Sequence, residues 1–255
     1  MRLRRCLAAP AILALWAGCC PRPSVSPVID GPDSTDLRAR LDSRASLAGR
    51  ITGSLKMEDP AEGVEESCRV AITLAGPDRL RIRGTSRLFF DAFDLAVSSD
   101  TAVLLLPREK IAVVGPPDSP GWRELAWSPQ DLLIALLAHP LAGRPLDSGA
   151  VRASADDSGL AGGNWRLEAD PPTGMPSELI GGSGPELRIV WTDWQVRGGV
   201  EWPMLITIER GGRRLQLRTD LVQLDHAPSE GTFLLAPPEG FDLYSPGSEL
   251  LRAGE

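Results

Sequence analysis

Met204-Leu205-Ile206-Thr207-Ile208-Glu209 leads into Arg210-Gly211-Gly212-Arg213 and then into Leu215-Gln216-Leu217-Arg218-Thr219. Apolar and polar residues alternate on both sides of the Gly-Gly step. That period of two is the spacing of side chains along one face of a strand. A Gly-Gly pair accepts the positive φ of a tight hairpin. The stretch therefore reads as two antiparallel strands sharing one apolar face. The same alternation recurs outward from it. Ile51, Gly53 and Leu55 alternate with Arg50, Thr52, Ser54 and Lys56. Val70, Ile72 and Leu74 follow, then a Gly76-Pro77-Asp78 turn and Leu80-Arg81-Ile82-Arg83. Further strands are expected at 89–97, 101–106, 110–114, 164–169, 187–191 and 194–196. Leu221, Leu224 and Phe233-Leu234-Leu235 extend the series.

Two helices break the pattern. Ser34 or Thr35 caps the first, about 35–46, with Leu37, Leu41 and Leu47 toward one face. Ser128-Pro129-Gln130-Asp131 starts the second with Pro in its first turn. Leu132, Leu133, Leu136 and Leu137 follow before His139-Pro140 ends it. Its stripe is aliphatic and must cover something apolar. The fold class is thus α+β, mainly β: a long antiparallel sheet of about ten strands. A sheet of that length curls, and the helices cover its concave apolar face.

The N-terminus carries export signals. Arg2, Arg4 and Arg5 precede an apolar run from Leu7 to Trp16, then Ala17-Gly18-Cys19. Charge, apolar core and small residues in that order read as a secretory signal over 1–18. The run is too short for a spanning helix, which needs about 20 residues. Ala-Gly-Cys resembles the end of a bacterial lipobox, with Trp16 where Leu is usual, and makes Cys19 the lipidation site. The several acyl chains this implies, at about 0.8 kcal/mol per buried CH₂, would hold the protein on a membrane. Residues 19–33, rich in Pro, Ser, Gly and Asp, read as a flexible tether. A domain over 34–244 and a disordered tail over 245–255 complete the division. Losing residues 1–18 takes three arginines from 27 basic against 34 acidic residues, moving the net charge from −7 to −10. That balance argues against nucleic acid and against anionic lipid headgroups as partners.

Catalytic chemistry is not legible. His139 and His226 stand apart; the first suits a helix end. No zinc-ligand spacing, GxSxG elbow or Gly-rich phosphate loop occurs. Asp91 and Asp94 have odd spacing on a strand and point to opposite faces. Cys68 sits in an apolar strand pattern as a buried thiol, with a bridge to Cys20 the alternative. Trp191 and Trp194 fall on opposite faces of an unbroken strand, or meet if Thr192-Asp193 turns the chain. The expectation is a non-enzyme without metal or cofactor.

The order of a lipobox, a short helix, Ala48-Gly49-Arg50-Ile51 opening the sheet, strands around Gly76-Pro77-Asp78-Arg79-Leu80, the helix Ser128–Ala138 and the closing Trp202-Pro203, Leu205–Ile208 and Leu215-Gln216-Leu217 is similar to the LolA/LolB superfamily of lipoprotein-localisation factors. More closely, it is similar to uncharacterised LolB-like outer-membrane lipoproteins. The resemblance, over about 37–235, implies an incomplete antiparallel barrel closed by helices around an apolar cavity that takes lipid or lipoprotein acyl chains. It also implies a lipid-anchored place on the periplasmic face of the outer membrane, to which Cys20, rather than Asp, after Cys19 is suited. The inward aliphatics expected to line the cavity are Ile51, Leu55, Ile72, Leu74, Ile82, Leu104 and Leu106, with Leu133, Leu136 and Leu137 from the lid. The alternative is a scaffold lipoprotein of an envelope complex, its interior filled by its own side chains. The superfamily's receptor has an exposed apolar loop, matched here by Leu88-Phe89-Phe90. Three adjacent bulky residues cannot share one strand face, so the segment is buried on both sides or presents an apolar tip. If it is a tip, Leu88→Asp with Phe90→Asp leaves circular dichroism and melting unchanged and abolishes acyl transfer; loss of folding means burial instead.

Overall fold

The computed structural model describes residues 34–86, 90–125, 127–140, 152–153, 159–162, 165–170, 172–181, 187–224 and 227–248. The expected signal, Cys19, the tether, His226 and 249–255 lie outside them. Helix α1 is Ser34–Ala45 and α2 is Pro129–Leu137. The strands are β1 Ala48–Asp59, β2 Val64–Ala75, β3 Leu80–Thr85, β4 Asp91–Val97, β5 Ala102–Leu106, β6 Ile111–Gly115, β7 Arg152–Ala153, β8 Gly159–Gly162, β9 Trp165–Ala169, β10 Pro176–Gly181, β11 Leu187–Arg197, β12 Val200–Arg210, β13 Arg213–Gln223 and β14 Asp242–Tyr244.

All fourteen strands join one sheet in the order β14-β6-β5-β4-β3-β2-β1-β13-β12-β11-β10-β9-β8-β7. Two antiparallel meanders, β1–β6 and β7–β13, are therefore joined side by side through β1 and β13, with Leu55 opposite Leu217. β7 and β14 end the order without pairing to each other, so the sheet curls but does not close. The chain leaves the first meander at β6 and enters the second at β7, near the opposite edge. That connection contains α2, and it brings the helix across the hollow side.

The expected class holds, but the strand count was low. Proline at its start and Gly181-Gly182 at its end hide β10, while β7 and β8 are short and rich in small residues. Segments 187–191 and 194–196 form one strand. Asp193 takes a left-handed φ of 57° within it, and Trp191 and Trp194 both join the core. Phe233-Leu234-Leu235 is not a strand. Glu230–Phe233 is a 3-10 turn that buries Phe233 and leaves Leu234 exposed. Arg81 fixes this turn from outside: it pairs with Asp94 at 2.8 Å and donates to the Thr232 carbonyl at 2.9 Å. Leu235 and Phe241 then cover Val103, Leu105 and Ala112 on the convex face, and β14 pairs in parallel with β6. Beyond Tyr244 the chain stays packed as far as described, with Pro246 against Gly115 and Gly121.

The main core lies on the concave side. Ile51, Val70, Ile72, Leu74, Leu80 and Ile82 from the first meander face Ile189, Trp191, Ile206, Ile208, Leu215 and Leu217 from the second. Leu37 and Leu41 of α1 join them. The seam between the meanders has a bulge at Thr52/Gly53. There a Cβ on Gly53 would stand 2.2 Å from the Arg218 carbonyl oxygen. Gly53→Ala is expected to part β1 from β13, cost about 1–3 kcal/mol and lower the melting temperature by several degrees. Gly231→Ala, with open space around it, should melt like the wild type.

Candidate functional site

Helix α2 is the element that the hollow side encloses. Its nine residues are all buried except Leu132, which is half-buried. A helix buried on every side needs every polar group answered. At its N-terminus Ser128 Oγ accepts from the Asp131 amide and Asp131 Oδ2 accepts from the Ser128 amide, a reciprocal capping box. At the other end Ala138 adopts a left-handed φ of 48° and donates its amide to Ile134 O, as does His139.

Three side chains, two from the sheet and one from α1, add further polar bonds. Arg210, at the end of β12, grips Asp131 with Nη1 at 2.6 Å and Nη2 at 3.1 Å from its two carboxylate oxygens. Trp191 Nε1 donates to Ala135 O at 2.7 Å. Arg44, from α1, donates from Nε to Leu137 O at 2.8 Å and from Nη1 to Glu201 O at 2.6 Å. The Arg44 guanidinium also lies 5.0 and 5.5 Å from the ring centroids of Trp194 and Trp202. Burial lowers its pKa to about 10, opposed by the charge of Glu201. It therefore remains a cation at neutral pH. His139, beside it, is pushed below the usual histidine value by burial and by Arg44, against the pull of Asp42. The helix is thus held at its first turn, its middle and its last turn.

Between α2 and the sheet remains a cavity of about 20 Å³, lined only by apolar side chains. Leu55, Val70, Ile72, Ile82, Ile206, Ile208, Leu215 and Leu217 form its wall, and Leu132, Ala135 and Leu136 its roof. It has about the room of one water molecule, against roughly 300 Å³ or more for a small-ligand site. Among the described residues, α2 fills the place where the sequence puts an open cavity. Of the residues expected to line it, Leu55, Ile72, Ile82 and Leu136 do so. Ile51, Leu74, Leu133 and Leu137 are buried in the same core away from it. Leu104 is half-buried against that core and Leu106 half-buried farther along β5. The five inward residues of β2, β12 and β13 that complete the lining had the alternation that could have found them. Their position opposite β1 depended on the β1–β13 seam.

The strand directions put several features at one end of the curl. The β1–β2 turn, the β3–β4 connection and the Gly211-Gly212 turn share it, since β1, β3 and β12 all run toward it. Phe90 is 70% exposed there. Ser86 donates its amide to Phe90 O at 2.8 Å. Leu88 and Phe89 lie outside the described residues. Arg210 and its cross-strand neighbour Arg213 stand on the same rim, and Asp59 pairs with Arg213 at 2.6 Å.

No protein-family model matches the chain, and no curated protein matches it. Solved structures do. A LolA superfamily protein of Nitrosomonas europaea aligns over 80% of this chain and 98% of its own, at 12% identity and a TM-score of 0.52. The fold is LolA-like. A DUF1329 family protein of Desulfovibrio piger aligns over 79% of this chain and 95% of its own, at 11% identity and a TM-score of 0.53.

In this LolA-like fold the described residues hold no cluster of three His, Cys, Asp or Glu suited to a metal. No described helix is long and apolar enough to cross a membrane. Cys68, opposite Leu55, is half-buried, and burial raises its pKa above the usual thiol value. Asp94 is buried against Arg81 and Asp91 is exposed, so the two do not act together.

The Asp131–Arg210 pair is about 95% buried on both sides. Removing one partner strands the other charge. Asp131→Leu alone is expected to cost about 3–5 kcal/mol, whereas Asp131→Leu with Arg210→Met should recover all but about 1 kcal/mol of it, the worth of the capping bond to the Ser128 amide, read as melting temperatures in a double-mutant cycle.

Proposed function

We propose that the protein takes up an acyl chain or lipid in the groove that α2 occupies, with α2 moving out as a lid, and that it serves lipoprotein or lipid handling in the cell envelope. The observation carrying this reading is the polar fastening of a helix buried on every side over a wholly apolar wall. Apolar contact alone suffices for a permanent core. Here the lid is held by bonds to backbone carbonyls and one carboxylate, groups that water can satisfy once the helix swings away.

Magnitudes bound the ligand. Leu133, Ile134, Leu136 and Leu137 together contribute about 6–12 kcal/mol of apolar burial, so α2 does not leave for water. An acyl chain regains about 0.8 kcal/mol per buried CH₂. Roughly ten methylenes or more are needed to offset the lid, the length of an ordinary membrane acyl chain. Phe90 at the rim gives such a chain an apolar surface to cross, in keeping with the tip reading of 88–90. Cys19 as lipidated anchor, on the periplasmic face of the outer membrane, completes the proposal. The LolA superfamily neighbour supports this reading through its fold.

The near-absence of free volume favours a second reading, a scaffold lipoprotein whose core is finished by its own helix. Tryptophan quenching separates the two. Trp191 touches the lid, so a dibrominated C18 acyl methyl ester seated in the groove is expected to quench a large share of the fluorescence that Trp191→Phe removes. No quenching, together with no lipid in organic extracts of the purified protein, decides for the scaffold.

A further inference from the structure

The lid's first turn carries an ion pair that apolar packing could largely replace, apart from the bond that Asp131 accepts from the Ser128 amide. A buried ion pair is no more stabilising than well-packed apolar residues of similar volume, and its best-attested use is as a specificity or switching device. Asp131–Arg210 also has a particular position. Arg210 follows Ile206 and Ile208 along the inward face of β12, and Asp131 precedes Leu132 on α2; Ile206, Ile208 and Leu132 all line the cavity. The pair therefore closes the cavity at the rim shared with Phe90.

When α2 leaves, Asp131 leaves with it and Arg210 stays on the wall. The chain as a whole is acidic, yet among the described residues the carboxylates beside Arg210 are already engaged: Glu209 accepts from Arg188 and Arg214, and Glu58 pairs with Lys56 and Arg214. Asp59, the nearest acid on the inward face of β1, accepts from Arg213 with Oδ2 and from the Ala61 and Glu62 amides with Oδ1. Even in the closed state Arg210 Nε finds no hydrogen-bond partner among the described residues, though the side chain is 95% buried. An open groove thus presents a guanidinium with vacant donors at the head of an apolar wall. A guanidinium matches the planar, bidentate geometry of a carboxylate or phosphate.

We infer that the ligand carries an anionic head group, carboxylate or phosphate, which takes the place of Asp131 on Arg210 while its acyl chain takes the place of the α2 side chains. This rests on the acyl-chain reading above and adds the head-group class. Lid and ligand then compete for the same two surfaces, polar at the rim and apolar below it. A neutral lipid of the same chain leaves Arg210 desolvated and unpaired, and binds more weakly.

Displacement of the dibrominated ester from the purified full chain tests this with two matched pairs: palmitate against methyl palmitate, and dipalmitoyl phosphatidic acid against dipalmitoylglycerol. In at least one pair the anionic member should bind tenfold or more tightly, and the pair that shows it names the head group. In Asp131→Leu/Arg210→Met, whose melting temperature is checked first, the anionic and neutral members of that pair should bind alike. Equal affinity within both pairs, or a preference that survives in the double variant, overturns the head-group assignment and leaves the acyl-chain reading standing. Failure of all four lipids to bind overturns both.

Discussion

The interior depends on one constraint: a curled sheet has a hollow apolar side, and something must fill it. Here α2 does so, and almost everything else follows from keeping a nine-residue helix inside a half-barrel. Its backbone ends are capped by its own Ser128–Asp131 box and by the left-handed Ala138. Its remaining polar groups are met by Arg210, Trp191 and Arg44, one from the rim, one from the wall and one from α1. Apolar burial provides most of the attraction, since four aliphatic side chains outweigh several neutral hydrogen bonds. The polar contacts fix the register and depth of the helix.

The two faces of the sheet have different tasks. The convex face is finished by a C-terminal strap, bolted through Arg81, Asp94 and Thr232. Elsewhere it carries alternating charges across neighbouring strands: Arg188 bonds Glu178 and Glu209, and Arg214 bonds Glu209 and Glu58. Exposed pairs of this kind contribute little to stability. They clothe that face in charge and leave the apolar burial to the concave side.

The topology explains why lid, rim charges and apolar tip belong together. Joining the meanders through β1 and β13 puts the connection between β6 and β7 across the hollow. The helix in that connection lies lengthwise, Asp131 toward the rim with Phe90 and Arg210, and Leu137 toward the far end with Arg44, Trp194 and Trp202.

Much of this was legible in residue order, because strand and helix periodicity are local properties. Ile51, Ile72, Ile82, Ile206–Ile208 and Leu215–Leu217 could be placed on inward faces from alternation, and Ser128–Leu137 recognised as a covering helix from its cap and aliphatic stripe. Tertiary structure alone decided that β13 lies against β1, which put Ile206, Ile208, Leu215 and Leu217 opposite Leu55 and Ile72. It alone decided that α2 fills the hollow rather than roofing an open one. Trp191 stood out in the sequence but its partner did not, and nothing there marked Arg44 or Arg210 as buried, since a charged or aromatic residue on a strand or helix reads the same whether it faces water or a partner scores of residues away. Pairing across such separations depends on which edges meet, and local spacing does not encode that.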